Sequence, residues 1–174
     1  MTALNSSSPL AIQQAEEGYR YSIEPFLLAD FVHLSPGCRV LDVGTGCGVI
    51  PLLLATRGEV KEIVAIEIQE KLYDLAVSNI SDNGAEDRIR LIHDDFVNWS
   101  PDATNRLFDS VISNPPYRKL KTGRINPNSE KAVARHELSM SLESLTAGAD
   151  DCLKEGGTFI LAYPPLRLTE VLEY

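Results

Sequence analysis

Between Cys38 and Leu161 the sequence switches repeatedly between short apolar runs and stretches of helical periodicity, and that alternation leaves few architectures open. CRVLDVG (38–44) reads as a buried strand, VIPLLLATR (49–57) as a helix with Pro51 in its first turn, and EIVAIEI (62–68) as a second strand. QEKLYDLAVSNISDNG (69–84) is a helix with Leu72, Ala76 and Ile80 on one face, stopped by Asn83-Gly84. RIRLIHDD (88–95) and FDSVISN (108–114) supply strands three and four. After a polar loop, Leu138, Leu142, Leu145, Ala149 and Leu153 repeat at helical spacing up to Gly156-Gly157. TFILAYPP (158–165) is the fifth strand, and PLRLTEVLEY (165–174) opens a further helix. Such a pattern predicts an α/β fold with a parallel sheet.

Bulk properties narrow the class. A chain of 174 residues with 44% apolar and 24% charged content has the makeup of one ordinary globular domain. No apolar run approaches the ~20 residues that cross a bilayer. MTALNSSSPLAIQQAEEG lacks the basic start and apolar core of a signal peptide, so 1–17 reads as a loose polar leader and 18–174 as the domain. Cys38, Cys47 and Cys152 are an odd number without CxxC spacing, which argues against a disulfide framework and structural zinc and fits a reducing cytoplasm. His33, His93 and His136 are too scattered to suggest a metal site.

The net charge of −9 disfavours nucleic acid as a partner, but its distribution reverses that reading. Arg118, Lys119, Lys121, Arg124, Lys131 and Arg135 face a single anion, Glu130, so the 118–135 stretch carries +5 and the remainder −14. A positive island on an acidic body is a candidate phosphate-binding surface. The alternative is a loop kept soluble by its charge.

Between the first strand and the next helix lies DVGTGCG, Asp42 to Gly48. Glycines at 44, 46 and 48 admit a ligand close to the backbone, beside a helix N-terminus. The GxGxG spacing differs from the GxGxxG dinucleotide fingerprint, and Asp42 stands two places ahead of it. Asp42 is placed to accept either from loop amides or from a ligand's ammonium group through water. Glu67 ends the second strand, where a carboxylate takes two ribose hydroxyls. Asp95 ends the third, placed to accept from an adenine amino group, with Phe96 beside it to cover the ring. In an open α/β sheet these strand ends line the ligand crevice. The competing reading makes the three acids caps of the helices that follow.

DVGTGCG, Glu67, HDDF (93–96) and NPPY (114–117) together resemble the class I S-adenosylmethionine (SAM)-dependent methyltransferases. The resemblance implies a Rossmann-like doubly wound parallel sheet in strand order 3-2-1-4-5, with the family's strands 6 and 7 absent from this chain. It implies that Asp42, Gly44, Thr45, Gly46, Gly48, Glu67, Ile68, Asp95, Phe96 and Asn114 hold SAM, and that no metal is needed. YRYSIEPFLLADFV (19–32), NPPYRK with its cationic loop, and AVARHE (132–137) are similar to the bacterial methyltransferases that modify adenine 37 of valine tRNA at its exocyclic nitrogen.

NPPY acquires a chemical purpose on this reading. The lone pair of an exocyclic amine is delocalised into its ring, and two acceptors that take its hydrogens free it for attack. Asn114 supplies one acceptor and the carbonyl of Pro115 the other, held by proline's fixed φ. Tyr117 stacks on the base, worth ~1–3 kcal/mol, once the base has swung out of its own stack. Arg118, Lys119, Lys121, Arg124, Lys131 and Arg135 grip the phosphates of RNA, a tRNA by resemblance. Tyr19 or Tyr21 is an alternative stacking ring, and His136 either touches RNA or caps the following helix. A protein-glutamine methyltransferase is the rival enzyme, because an amide nitrogen poses the same lone-pair problem. A SAM-binding fragment without catalysis is the rival of a different class, since the chain stops after its fifth strand and leaves that edge to be covered.

Overall fold

Strands β1 (Cys38–Val43), β2 (Val60–Glu67), β3 (Ile89–His93), β4 (Phe108–Ser113) and β5 (Leu153–Leu161) pair in parallel in the order β3-β2-β1-β4-β5. The computed structural model describes residues 10–14, 22–100, 107–115 and 140–173. Four helices accompany the sheet there: α1 (Glu24–Phe31), α2 (Val49–Thr56), α3 (Glu70–Asp82) and α4 (Leu142–Cys152). A 3-10 turn (Pro165–Arg167) leads into the short α5 (Leu168–Val171). No helix among the described residues is long and apolar enough to cross a membrane.

Both sheet faces are apolar and both are covered, which is why the strands read as continuous hydrophobic runs. Val40, Ile63, Ala65 and Ile112 pack with Leu28 of α1, Leu52 and Leu54 of α2 and Ile80 of α3. Leu41, Val43, Val64, Ile66 and Val111 face the other way, onto Phe96 and onto Leu145, Ala149 and Cys152 of α4. The side-chain period of two therefore puts Asp42 and Glu67 on the α1–α2–α3 face.

Local signals in the sequence set most boundaries. The Asn83-Gly84 stop is a Schellman cap: Gly84 takes φ +62°, its N–H bonds to Ser81 and that of Ala85 to Ile80. Ser141 caps α4 by accepting from the Ser144 amide at 3.0 Å. The fifth strand departs from expectation. Leu153 fits the helical spacing but belongs to β5, where it pairs with Phe108 and still packs on the α4 cluster. Register slips between Phe108 and Ser110, because the chain bulges before Thr158 with Gly156 at φ +76° and Lys154 Nζ 2.7 Å from Asp109 Oδ1. The same apolar contact is met from a strand instead of a helix, so spacing alone misplaced it. Residues 10–14, inside the stretch expected to be a loose leader, are hydrogen-bonded along α3.

Candidate active site

Because the strands run in parallel, the residues following β1, β2, β3 and β4 collect at one edge. The register sets Val43 beside Ile66 and Ser113, and Glu67 beside His93. The chain winds outward from β1 through β2 to β3 and then crosses back to β4 on the other side of β1. A topological switch point therefore lies between β1 and β4, where open α/β sheets bind ligands.

The glycine loop spans this crevice. Gly44, Gly46 and Gly48 have φ of +72°, +60° and +85°, a region costly for residues with a Cβ. A Cβ on Gly44 or Gly46 would point into open space, so conformation and room for a ligand are the demands there. At Gly48 a Cβ would come within 3.4 Å of the Ala76 Cβ, and glycine lets α2 start tight against α3. The N–H groups of Gly44 and Thr45 both bond to the Ile66 carbonyl, at 2.9 and 3.0 Å.

Glu67 builds the loop. Its side chain is 2% exposed, and Oε2 accepts from the Gly46 amide while Oε1 accepts from Gln69, each at 2.8 Å. Gln69 is the N-cap of α3, so the carboxylate also sits at the positive end of that helix. Asp42 is the opposite case. It is fully enclosed, and neither oxygen has a hydrogen-bond partner among the described residues. Burial pushes its carboxyl up to about 7, the Glu67 charge adding to the rise and the Thr45 hydroxyl opposing it. That hydroxyl falls short of hydrogen-bonding geometry, since Thr45 Oγ1 is itself buried without a partner among the described residues. Of the two partners open to Asp42 in the sequence, loop amides are not the ones it has.

At the β3 mouth the acids behave differently. Asp95 lies two residues past the strand, half-buried, not at the strand end as expected. Its Oδ1 accepts from the Val97 amide at 3.1 Å and Oδ2 from Asn98 Nδ2 at 2.9 Å, so it closes its own turn. Phe96 was expected beside an adenine ring. Its ring is instead a core side chain, 6% exposed and packed so close to α4 that a Cβ on Gly148 would meet it at 2.8 Å. Ile68 is half-buried and its carbonyl accepts from His93 Nε2 at 3.1 Å, the imidazole stacking on Tyr73 with centroids 5.0 Å apart.

Asn114 and Pro115 follow β4 directly, both half-buried. The Ser113 hydroxyl, wholly buried, donates to the Val43 carbonyl at 2.9 Å and ties the platform to the start of the glycine loop. Sequence reasoning missed Ser113, which adjoins Asn114, and gave no role to His93, although it opens the HDDF motif. Asn79, a polar residue on the buried side of α3, was also missed. Tyr117, Arg118, Lys119, Lys121, Arg124, Lys131 and Arg135 lie outside the described residues, as do Tyr19, Tyr21 and His136. An open groove of about 1580 Å³ between α1, α4 and β5 contains none of the expected site residues.

Residues 25–173 match the model of the methyltransferase small domain family. A curated relative, the tRNA1(Val) (adenine(37)-N6)-methyltransferase of Bacteroides thetaiotaomicron, is 36% identical over 140 residues, covering 79% of this chain and 56% of that protein. The chain spans little more than half the length of such relatives, between 56% and 63% for three of them. The precorrin-6y C5,15-methyltransferase of Geobacter metallireducens superposes with a TM-score of 0.65 at 16% identity, over 93% of this chain and 72% of its own. A SAM-dependent methyltransferase of Thiobacillus denitrificans, solved with S-adenosyl-L-homocysteine, gives 0.58 at 17% identity, over 79% and 46%. At those identities the structural likeness speaks for the fold.

Proposed function

The chain belongs to the methyltransferase small domain family, and from that premise we propose that it binds SAM at the β1–β2 mouth and methylates the exocyclic amine of adenine in RNA. The RNA is a tRNA, as for the relative named above, and the reaction belongs in the cytoplasm. The adjacency of Asn114 to the glycine loop carries this reading: an amine-acceptor platform begins one residue past Ser113, itself bonded to the last residue of β1.

The residues fit the cofactor. Asp42, buried and unpartnered among the described residues, suits a cationic ligand group, which returns its pKa toward the ordinary carboxylate range. The open space at Gly44 and Gly46 leaves room for it. Glu67, at the end of β2 beside the glycine loop, is placed to accept ribose hydroxyls, and Asp95 keeps a lone pair on each oxygen for an adenine amine. Bound there, the sulfonium supplies the methyl group. Asn114 and the Pro115 carbonyl take the two hydrogens of the acceptor amine and orient its lone pair. Tyr117 stacks on the flipped base, and the 118–135 cations hold the phosphates.

Asn114→Ala should lower methyl incorporation into tRNA on the order of a hundredfold or more, by analogy with removal of one oxyanion-hole donor, while affinity for S-adenosyl-L-homocysteine (SAH) falls far less. Asn114→Asp keeps an acceptor and should retain more activity than the alanine variant. Labelled SAM, total tRNA and nucleoside mass spectrometry read the outcome. Wild-type turnover in Asn114→Ala removes the acceptor role, and label in protein instead of adenosine transfers the case to the glutamine enzyme.

A further inference from the structure

Asn79 is fully buried on α3, and its side chain makes three hydrogen bonds, none to its own helix. Its Oδ1 accepts from the Gln13 amide at 2.8 Å, and its Nδ2 donates to the Gln13 carbonyl at 3.0 Å and to the Cys47 carbonyl at 2.8 Å. Two carbonyls facing Nδ2 and one N–H facing Oδ1 fix the amide's orientation. Cys47 lies in the glycine loop, so one side chain joins that loop to the N-terminal segment.

Asn83, one turn on, repeats the arrangement. Its Oδ1 accepts from the Ala11 amide at 3.1 Å, and its Nδ2 donates to the Ala11 carbonyl at 2.8 Å and, within the helix, to the Asn79 carbonyl at 2.7 Å. The match is geometric. Four helical residues rise about 6 Å and two extended residues about 6.7 Å, so two asparagines at i and i+4 can each grip both backbone groups of alternate residues. Leu10 and Ile12, which alternate with the gripped residues, pack onto the core, and Gln13 Nε2 adds a bond to Asp82 Oδ2 at 3.0 Å. The segment runs antiparallel to α3, toward the ligand edge of the sheet.

We propose that residues 10–14 form a strap that sets the glycine loop, with Asn79 as the positioning residue that couples strap and loop. The inference rests on the reading of the loop as the SAM site. It follows that strap and cofactor stabilise each other reciprocally, since a ligand that prefers the set loop must also favour the docked strap. An Asn79 that merely filled the core would carry no such link.

Hydrogen exchange and SAH titration on the intact chain test this. SAH should slow exchange at the Ala11 and Gln13 amides of the wild-type protein. Asn79→Ala should weaken SAH binding about tenfold or more, the scale of lost buried hydrogen bonds. Gln13→Pro removes the donor to Asn79 Oδ1 together with the side-chain bond to Asp82 that Gln13→Ala removes alone, and it should weaken binding several-fold beyond Gln13→Ala. Asn83→Ala, whose side chain touches the strap and α3 but not the loop, should change it less than threefold. Should Asn79→Ala fail to fold, Gln13→Pro decides. Wild-type SAH affinity in Gln13→Pro, or strap exchange indifferent to SAH, overturns the proposal. If the wild-type protein itself does not bind SAH, the cofactor reading falls first. The coupling is then judged without ligand by exchange at the Gly48 amide, which bonds to Thr45 at 3.1 Å: faster exchange in Gln13→Pro upholds it and an unchanged rate overturns it.

Discussion

At the mouth of β1, Asp42 is sealed from solvent and neither oxygen meets a donor among the described residues. At the mouth of β3, Asp95 is half-exposed to water and both oxygens are engaged within its own turn. Between them, at the mouth of β2, Glu67 is as buried as Asp42 and yet bonded twice to backbone. Three acids at the mouths of neighbouring strands thus divide the work. Glu67 shapes the loop, Asp42 keeps an unmet demand for positive charge, and Asp95 shapes a turn while remaining open to a further donor. Burial without a partner, more than position at a strand end, singles out the residue that a cationic ligand would satisfy.

The largest effect should come from Glu67. Removing its carboxylate in Glu67→Ala deprives the Gly46 and Gln69 amides of charge-assisted bonds worth about 1.5–3 kcal/mol each, so a loss of about 3–6 kcal/mol is expected in denaturant unfolding. SAH binding should fall with it. If stability holds while binding alone collapses, Glu67 is a ligand residue and the division from Asp42 dissolves.

Asp42 should reveal itself through pH. Its carboxyl titrates near 7 in the folded chain and near 3.8 when free, so the folded state binds the extra proton across that window. Stability therefore falls as pH rises from about 4 to about 7 and levels off above, by at most about 4 kcal/mol at 1.36 kcal/mol per unit. Asp42→Asn should flatten this slope. SAH affinity should rise over the same window, because its ammonium favours the ionised acid. A slope unaltered in Asp42→Asn would assign the pH dependence to other groups.

The strands themselves, the cap at Asn83-Gly84 and the acids near the strand ends were legible because each has a local signature: an apolar run, a turn residue, a charge at or after a strand. The order of the strands in the sheet came from the family resemblance instead. The partners of those acids were not. Glu67 bonds to backbone amides, which carry no residue code, and the ring of Phe96 is drawn into the core by Gly148, a contact far along the chain that no local period announces. Leu153 satisfied one apolar contact from a strand that its spacing had promised to a helix. Asn79 sat one turn from Ala76 on an otherwise apolar face, and its polarity became meaningful only once the N-terminal segment was seen against it.

The smallest effect separates the two roles left to Asp95. As a turn residue it needs only an acceptor for the Val97 amide, which an asparagine also provides, so Asp95→Asn should change stability by no more than about 0.5 kcal/mol, as at exposed sites generally. As a reader of adenine it needs an acceptor aimed at the exocyclic amine, and there an asparagine differs, because its amide can turn a donor outward instead. Comparing SAH with its inosine counterpart, which bears a carbonyl oxygen where adenine has the amine, isolates that difference. The wild-type protein should prefer SAH several-fold, since a carboxylate repels the inosine oxygen. In Asp95→Asn the preference should shrink toward unity, the amide satisfying either group. The turn should hold in both cases, so any change in the ratio reports recognition and not folding. Equal wild-type affinity for the two ligands would confine Asp95 to its turn and leave the adenine edge to other groups.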